Sequence, residues 1–308
     1  MTPRPRHRAT IGLIGAGRAG GSMAVLLAHG GWAPSVLWSR SLGRRRTLAR
    51  RILRITGRSP ACRSRPADVA REARILLLAV PDDALADMAV ELAAACPHMS
   101  GRVILHLSGV AGLTPLLPLR ERGASTGSLH PLAIFSSRVP PPDLLLGAGF
   151  AVDGQPRARS VARSLARALG GRPFSIDTRL RPLYHLAASL VANDVLAIFH
   201  LAHRALCKTG LQEKEAHQVL VHLLQGTATA LAQTTAETAL TGPVSRGDAG
   251  TLARHLSAAP DARTASIHRL LSLVLVDMAC AGDRMGEATA RRLRHLLAAS
   301  PGQGRNRR

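Results

Sequence analysis

The sequence predicts an α/β fold, a doubly wound parallel sheet followed by an all-α domain. Three observations predict it. Short apolar runs alternate with helical periodicity from Ile11 to about Asp177. Residues 74–80 read Arg-Ile-Leu-Leu-Leu-Ala-Val, apolar without alternation, as expected of a strand buried on both faces. Beyond Arg179 long helical patterns continue without strands between them.

The first strand is expected at 11–14. It leads into Gly15-Ala16-Gly17-Arg18-Ala19-Gly20 and then into an Ala- and Leu-rich helix over 18–29. Strand, glycine turn and helix in this order form a cradle for a dinucleotide pyrophosphate. Gly15 allows the sharp turn, Gly17 lets a diphosphate approach the backbone, and Gly20 lets helix and strand pack closely. Free N–H groups at the helix start favour the anion. The second strand, 35–38, ends in Ser39-Arg40-Ser41, with Arg44, Arg45 and Arg46 close behind and no acid nearby. An acid there binds the ribose 2′-hydroxyl of NAD, whereas hydroxyls and a guanidinium suit a 2′-phosphate. The expected cofactor is therefore NADP(H), held by residues 15–20, by Ser39, Arg40 and Ser41, and by Val80 and Pro81 at the end of the 74–80 strand.

Helices are expected over 42–55 and 66–72, and another runs to Ala95 with Asp82 or Asp83 as its cap. Strands follow at 103–107 and 125–129. A proline-rich loop spans 138–142. A strand at 149–152, a helix over 157–169 and a strand at 172–176 complete the first domain, which is assigned to 8–177. A helical domain takes 178–300, and 301–308 reads as a disordered polar tail.

Composition narrows the function. An apolar share of 46% supports a sizeable core, and with aromatics at 2% that core is built from Leu, Val and Ala. The formal net charge of +22 would suit nucleic acid. The excess is spread along the chain rather than gathered on one face, is nearly all arginine, and is not interleaved with aromatics, so nucleic acid is not the expected partner. Cys62, Cys96, Cys207 and Cys280 form no metal-ligand spacing, and no metal is expected. Scattered thiols suit a reducing cytoplasm. The longest apolar helix, about 183–207, carries His185, Asn193, Asp194, His200, His203 and Arg204, and reads as a core helix rather than a membrane span.

Three sets of polar residues could carry chemistry. Ligands of open α/β sheets lie at the carboxyl ends of the strands. Ser108 follows one such end, beside His106, and Ser128 and His130 follow another. His106 reads equally as a hydrogen-bonded core residue. His185, Ser189 and Asn193 recur every four residues and share one α-helical face, with about 12 Å between the first and last. The third set is the loop Thr241-Gly-Pro-Val-Ser245-Arg246-Gly-Asp248, which reads also as a helix connection capped by Asp248.

Taken together these residues resemble a known family, the Rossmann-like oxidoreductases with a C-terminal helical domain of unknown function. These are relatives of pyrroline-5-carboxylate reductase and ketopantoate reductase, and some are described as an alternative ketopantoate reductase. The resemblance covers about residues 11–297. It rests on the glycine turn, on His106-Leu-Ser108-Gly109, on Gly127-Ser128-Leu-His130-Pro131, and most specifically on Tyr184-His185 with Asn193 and on residues 240–248. It implies a helical domain of the 6-phosphogluconate-dehydrogenase-like kind, a homodimer through the C-terminal helices, and a cleft between the domains. Family members often carry lysine where this chain has Arg181, and arginine is a poor proton donor because it stays charged. The expected activity is NADP-dependent reduction of a small oxoacid, ketopantoate-reductase-like, with a cyclic imine acid as the alternative substrate. His185 or His130 is the expected acid, Asn193 and Ser108 the polarising donors, and Ser128, Ser189, Arg181 and Arg246 the substrate contacts. A non-catalytic NADP-binding dimer is the competing expectation, since fold does not imply activity.

Overall fold

The computed structural model describes residues 9–298; the tail expected at 301–308 and the start of the first domain at residue 8 lie outside them. The chain divides into two compact units, 1–192 and 193–308.

The first unit is built on an eight-stranded sheet. Its strands are β1 (Ile11–Ile14), β2 (Val36–Trp38), β3 (Ala61–Cys62), β4 (Ile75–Leu78), β5 (Val103–His106), β6 (Ser125–Pro131), β7 (Gly149–Gly154) and β8 (Arg172–Ser175). Their order across the sheet is β3-β2-β1-β4-β5-β6-β7-β8. The first six are parallel in the dinucleotide-binding order. β7 then runs antiparallel to β6, and β8 follows β7. The expected all-parallel sheet is thus reversed at its last two strands. The 17-residue segment 132–148 between β6 and β7 contains no crossover helix, and a parallel neighbour needs one.

Alternation along the strands feeds two cores. Leu13, Leu77 and Leu105 pack with α1 (Arg18–His29), α2 (Leu42–Thr56) and α6 (Pro156–Ala168) on one face. Ile14, Leu76, Leu78 and Ile104 pack with α3 (Pro66–Glu72), α4 (Leu85–Ala95) and α5 (Leu117–Glu121) on the other. These two layers are the doubly wound arrangement. Asp82 and Asp83, expected to cap a helix, instead form a 3₁₀ turn that leads into α4, and neither makes a capping hydrogen bond.

The expected helix over 183–207 is three pieces. α7 (Arg181–Ser189) passes through a π turn (Leu190–Asp194) into α8 (Val195–Cys207). The division between the units falls inside that turn rather than at Asp177, and Arg181 at the start of α7 is buried in the first unit.

The second unit is helical throughout its described residues: α8, α9 (Glu213–Gln233), α10 (Ala236–Ala239), α11 (Ala249–Ala258), α12 (Ala262–Ala281) and α13 (Glu287–Ala298). Its core is small, formed by Val244, Leu252, Val276, Ala290, Leu293 and Leu297. Asp248 caps α11 through the Thr251 N–H at 2.9 Å, and Asp261 caps α12 through the Thr264 N–H at 2.8 Å. No residue of α8 is buried, and of α9 only Ala216. By length and composition alone Thr178–Cys207 and Ala262–Ala281 are long and apolar enough to cross a membrane.

Candidate functional site

The strand register gathers the expected site residues at one edge. Trp38, Ile14, Leu78, His106 and Ser128 lie in one row across five parallel strands. Two residues further along each chain come Arg40, Ala16, Val80, Ser108 and His130. The glycine turn and both histidine-bearing strands therefore emerge at the same carboxyl edge, where ligands of such sheets lie.

The three glycines have separate roles there. Gly15 adopts φ +106°, and a side chain on it would meet the Ala79 carbonyl oxygen at 2.3 Å. A Cβ on Gly20 would lie 2.2 Å from the Gly15 carbonyl oxygen and 2.5 Å from the Ala79 Cβ. Gly17 faces open space, with nothing within 4 Å of where its Cβ would be. Turn, close packing and an open approach are the three properties a pyrophosphate cradle needs. Arg18 and Ala19 are exposed at the start of α1. At the end of β2, Ser39 is buried and Arg40 exposed, and Ser41 Oγ accepts the Arg44 N–H at 3.3 Å to cap α2. Val80 is half-buried and Pro81 exposed.

At the carboxyl ends of β5 and β6 three aromatic side chains meet. His130 Nδ1 lies 2.7 Å from the Tyr184 hydroxyl, and the His130 and His185 rings pack edge to face with centroids 5.9 Å apart. Both imidazoles press on Gly109, where a Cβ would lie 2.6 Å from His185 Nδ1 and 2.7 Å from His130 Nε2. Two ring nitrogens thus converge beside one α-carbon, and only glycine fits there. His185 Nδ1 is buried and has no hydrogen-bond partner in the structure. Burial, with the neighbouring His185 and Arg181, pushes the His130 pKa down to about 4, so its ring is neutral at neutral pH. Burial pushes the Tyr184 hydroxyl up to about 12, so it keeps its proton. A proton passed between these two neutral groups leaves a tyrosinate beside an imidazolium, so a net transfer needs His130 to release a proton from Nε2 as Nδ1 receives one.

Arg181 lies beneath this cluster, and its role differs from the expected one. It is fully buried. Nη1 donates to the Ser108 and Gly109 carbonyl oxygens, each at 3.2 Å, and Nη2 donates to Ser128 Oγ. Asp153 is 4.0 Å from Nε. The fork of donors is used within the fold, where it fixes the turn that carries Gly109, so Arg181 is a strut rather than a substrate clamp. Ser128 is likewise buried and bonded to Arg181, not open to substrate. His106 proves a core residue: its Nδ1 accepts the Ser108 N–H at 3.2 Å, and burial with Arg181 pushes its pKa down to about 3. Ser108 Oγ accepts the Ala111 N–H at 2.9 Å and so shapes the same turn. His130 sits inside β6, which runs to Pro131, rather than beyond it.

Ser189 is half-buried at the end of α7. Asn193 and Arg246 are exposed and belong to the second unit. The π turn also separates Ser189 from Asn193, so the four-residue spacing that places His185 and Ser189 on one face does not carry on unchanged. Tyr184 is the member of the cluster that the sequence motif contained but to which no role was assigned. Its adjacency to His185 was the available signal.

Comparison with known proteins agrees with this architecture. Residues 4–131 match the model of a Rossmann-like domain, and residues 148–274 match a domain of unknown function, DUF2520. No curated protein matches the sequence. Among solved structures, a Bacteroides fragilis protein described as a candidate NADP oxidoreductase is 23% identical with a TM-score of 0.70, over 87% of this chain and 97% of that one. Pyrroline carboxylate reductase from Plasmodium falciparum, with NADP bound, is 12% identical with a TM-score of 0.60, over 94% and 98% of the two chains. A reductive aminase from Aspergillus terreus, in complex with NADPH and ethyl-5-oxohexanoate, is 18% identical with a TM-score of 0.57, over 94% and 93%. At these identities the likeness is one of fold. The chain thus joins a Rossmann-like domain to a domain of the DUF2520 family.

Proposed function

We propose that the protein is an NADP-dependent reductase of a small carbonyl or imine compound. The carrying observation is that an open glycine turn and a half-buried His–Tyr–His cluster lie at one carboxyl edge of a single sheet. Residues 15–20 with Val80 and Pro81 would hold the dinucleotide, and Ser39, Arg40 and Ser41 its 2′-phosphate. Bound there, NADP(H) supplies the hydride. The chain's own task is then the proton. A carbonyl oxygen or imine nitrogen that gains electron density needs a donor in place. His185 Nδ1 and His130 Nε2 converge on one spot; as His130 Nε2 gives its proton to the substrate, Nδ1 takes the Tyr184 proton, and water then reprotonates the tyrosine.

An oxoacid such as ketopantoate and a cyclic imine acid such as pyrroline-5-carboxylate fit this cluster equally, since each presents one atom to protonate. Both are tested by following NADPH absorbance with the purified protein, with NADH as control. Turnover of either substrate, specific to NADPH, supports the reading and selects between them. NADPH binding without turnover of either favours a non-catalytic binding protein, and no NADPH binding overturns the reading.

We further propose that a second copy covers the apolar faces of α8, α9 and α12. Leu196, Ile198, Leu223, Leu224, Leu270 and Val274 are all exposed there. Exposed apolar residues in this number on neighbouring turns of a helix favour an interface.

A further inference from the structure

Along the sequence the basic excess has no focus, but folding gives it one. The helices of one layer, α1, α2 and α6, contain no Asp or Glu, while α2 holds six arginines and α6 four. The opposite layer has the acids: Asp68 and Glu72 in α3, Asp87 and Glu91 in α4, and Glu121 in α5. Arginines that meet α3 are paired, Arg63 with Glu72 at 2.6 Å and Arg71 with Asp68 at 2.8 Å. Arg46, Arg50 and Arg54 recur every four residues along α2 and form one exposed row, about 6 Å from one to the next. Arg167 is exposed on α6. None of these four forms an ion pair among the described residues. Like charges held this close repel, and an anionic surface against them turns that repulsion into attraction.

Segment 132–148 crosses the same layer. The Ser137 carbonyl accepts from Ser22 Oγ of α1 at 2.9 Å, and the Arg138 carbonyl accepts from Arg51 Nη1 of α2 at 2.7 Å. The Gly147 N–H donates to the Gly170 carbonyl, just after α6, at 2.8 Å. Two apolar side chains stand out from this segment: Val139 is 59% exposed and Leu146 73%.

We propose that this face docks on the surface of an anionic lipid bilayer. The arginines of α2 and α6 meet the headgroups, and Val139 and Leu146 enter the boundary between headgroups and acyl chains. Two observations favour a bilayer over nucleic acid. α1, α2 and α6 contain no Phe, Tyr or Trp on which unpaired bases could stack. A phosphate backbone also leaves Val139 and Leu146 in water, whereas a bilayer buries them. The docking does not rest on the proposed reaction.

Flotation of the full chain with vesicles tests this, using phosphatidylcholine alone and phosphatidylcholine with about one-third phosphatidylserine. The wild type should float with the anionic vesicles only, and raised salt should release most of it. Each arginine near an anionic surface contributes about fivefold to binding, so Arg50→Gln with Arg54→Gln should lose about 25-fold and Arg167→Gln about fivefold. Leu146→Ser should weaken the binding that survives raised salt. Arg120→Gln, on α5 in the opposite layer, removes the same charge and should leave binding unchanged. Thermal unfolding first shows that each variant is folded. The proposal is overturned if the wild type ignores anionic vesicles or floats equally with both kinds. It is overturned too if neither Arg50→Gln with Arg54→Gln nor Leu146→Ser alters flotation. If Arg120→Gln costs as much as Arg167→Gln, net charge rather than this face is at work, and the proposal fails. Retention by a DNA duplex without flotation also overturns it and assigns the face to nucleic acid.

Discussion

Gly109 is the residue on which the site turns. It has no side chain because two imidazoles occupy the space, and its backbone is held from behind by the Arg181 guanidinium. Gly109→Ala forces both rings aside, so turnover should fall at least tenfold while NADPH affinity stays within about twofold, because the glycine turn at residues 15–20 is untouched. Steady-state kinetics paired with a binding titration check this, and unchanged turnover would remove the histidines from the reaction. The buried histidines also set an acid limit. His130 and His106 have pKa values pushed down to about 4 and about 3, below that of an exposed histidine. The unfolded chain therefore binds more protons than the folded one as pH falls from about 6.5 toward those values. Stability that is complete above pH 6.5 is lost on acidification, at about 1.4 kcal/mol per pKa unit for each group. Urea unfolding at pH 7 and pH 5 should show the loss, and His106→Asn should shrink it. At this scale the sequence was legible for position more than for role. Arg181 reads on paper as a long cation beside a site, and nothing in its neighbours says that two carbonyls after β5 and a hydroxyl in β6 take up its Nη donors. The role of Tyr184 was hidden for a related reason, since its partner is 54 residues away in the chain.

Elements were more legible where a pattern had length. β1, α1, α2, α3 and α6 follow from periodicity and turn chemistry within a residue or two. β3 escaped because two residues carry no period, and α5 because Pro115 and Pro118 flank and enter it. The π turn is invisible to a helical wheel, because it adds one residue per turn without any change in composition. The reversal at β7 depends on the missing crossover helix, a feature of the whole segment 132–148 rather than of any strand.

Across the whole molecule, apolar surface is distributed unevenly. The sheet unit buries its leucines on two faces, whereas the helical unit leaves most of α8 and α9 uncovered. Sedimentation of the purified chain should give a species of twice the chain mass. Leu223→Arg, on the exposed face of α9, should shift it toward the monomer. A wild-type monomer at micromolar concentration counts against self-association.

The reversal of β7 has one more consequence. A strand that runs back begins where its neighbour ends: Pro131 pairs with Phe150, so segment 132–148 leaves and returns at the same edge of the sheet. Its two ends are pinned, Pro140 and Leu145 are buried between them, and most of its other residues are exposed. Residues can be added, removed or exchanged there without shifting a strand register. Selection, natural or in the laboratory, can therefore retune what this edge recognises by rewriting one loop while the scaffold stays as it is.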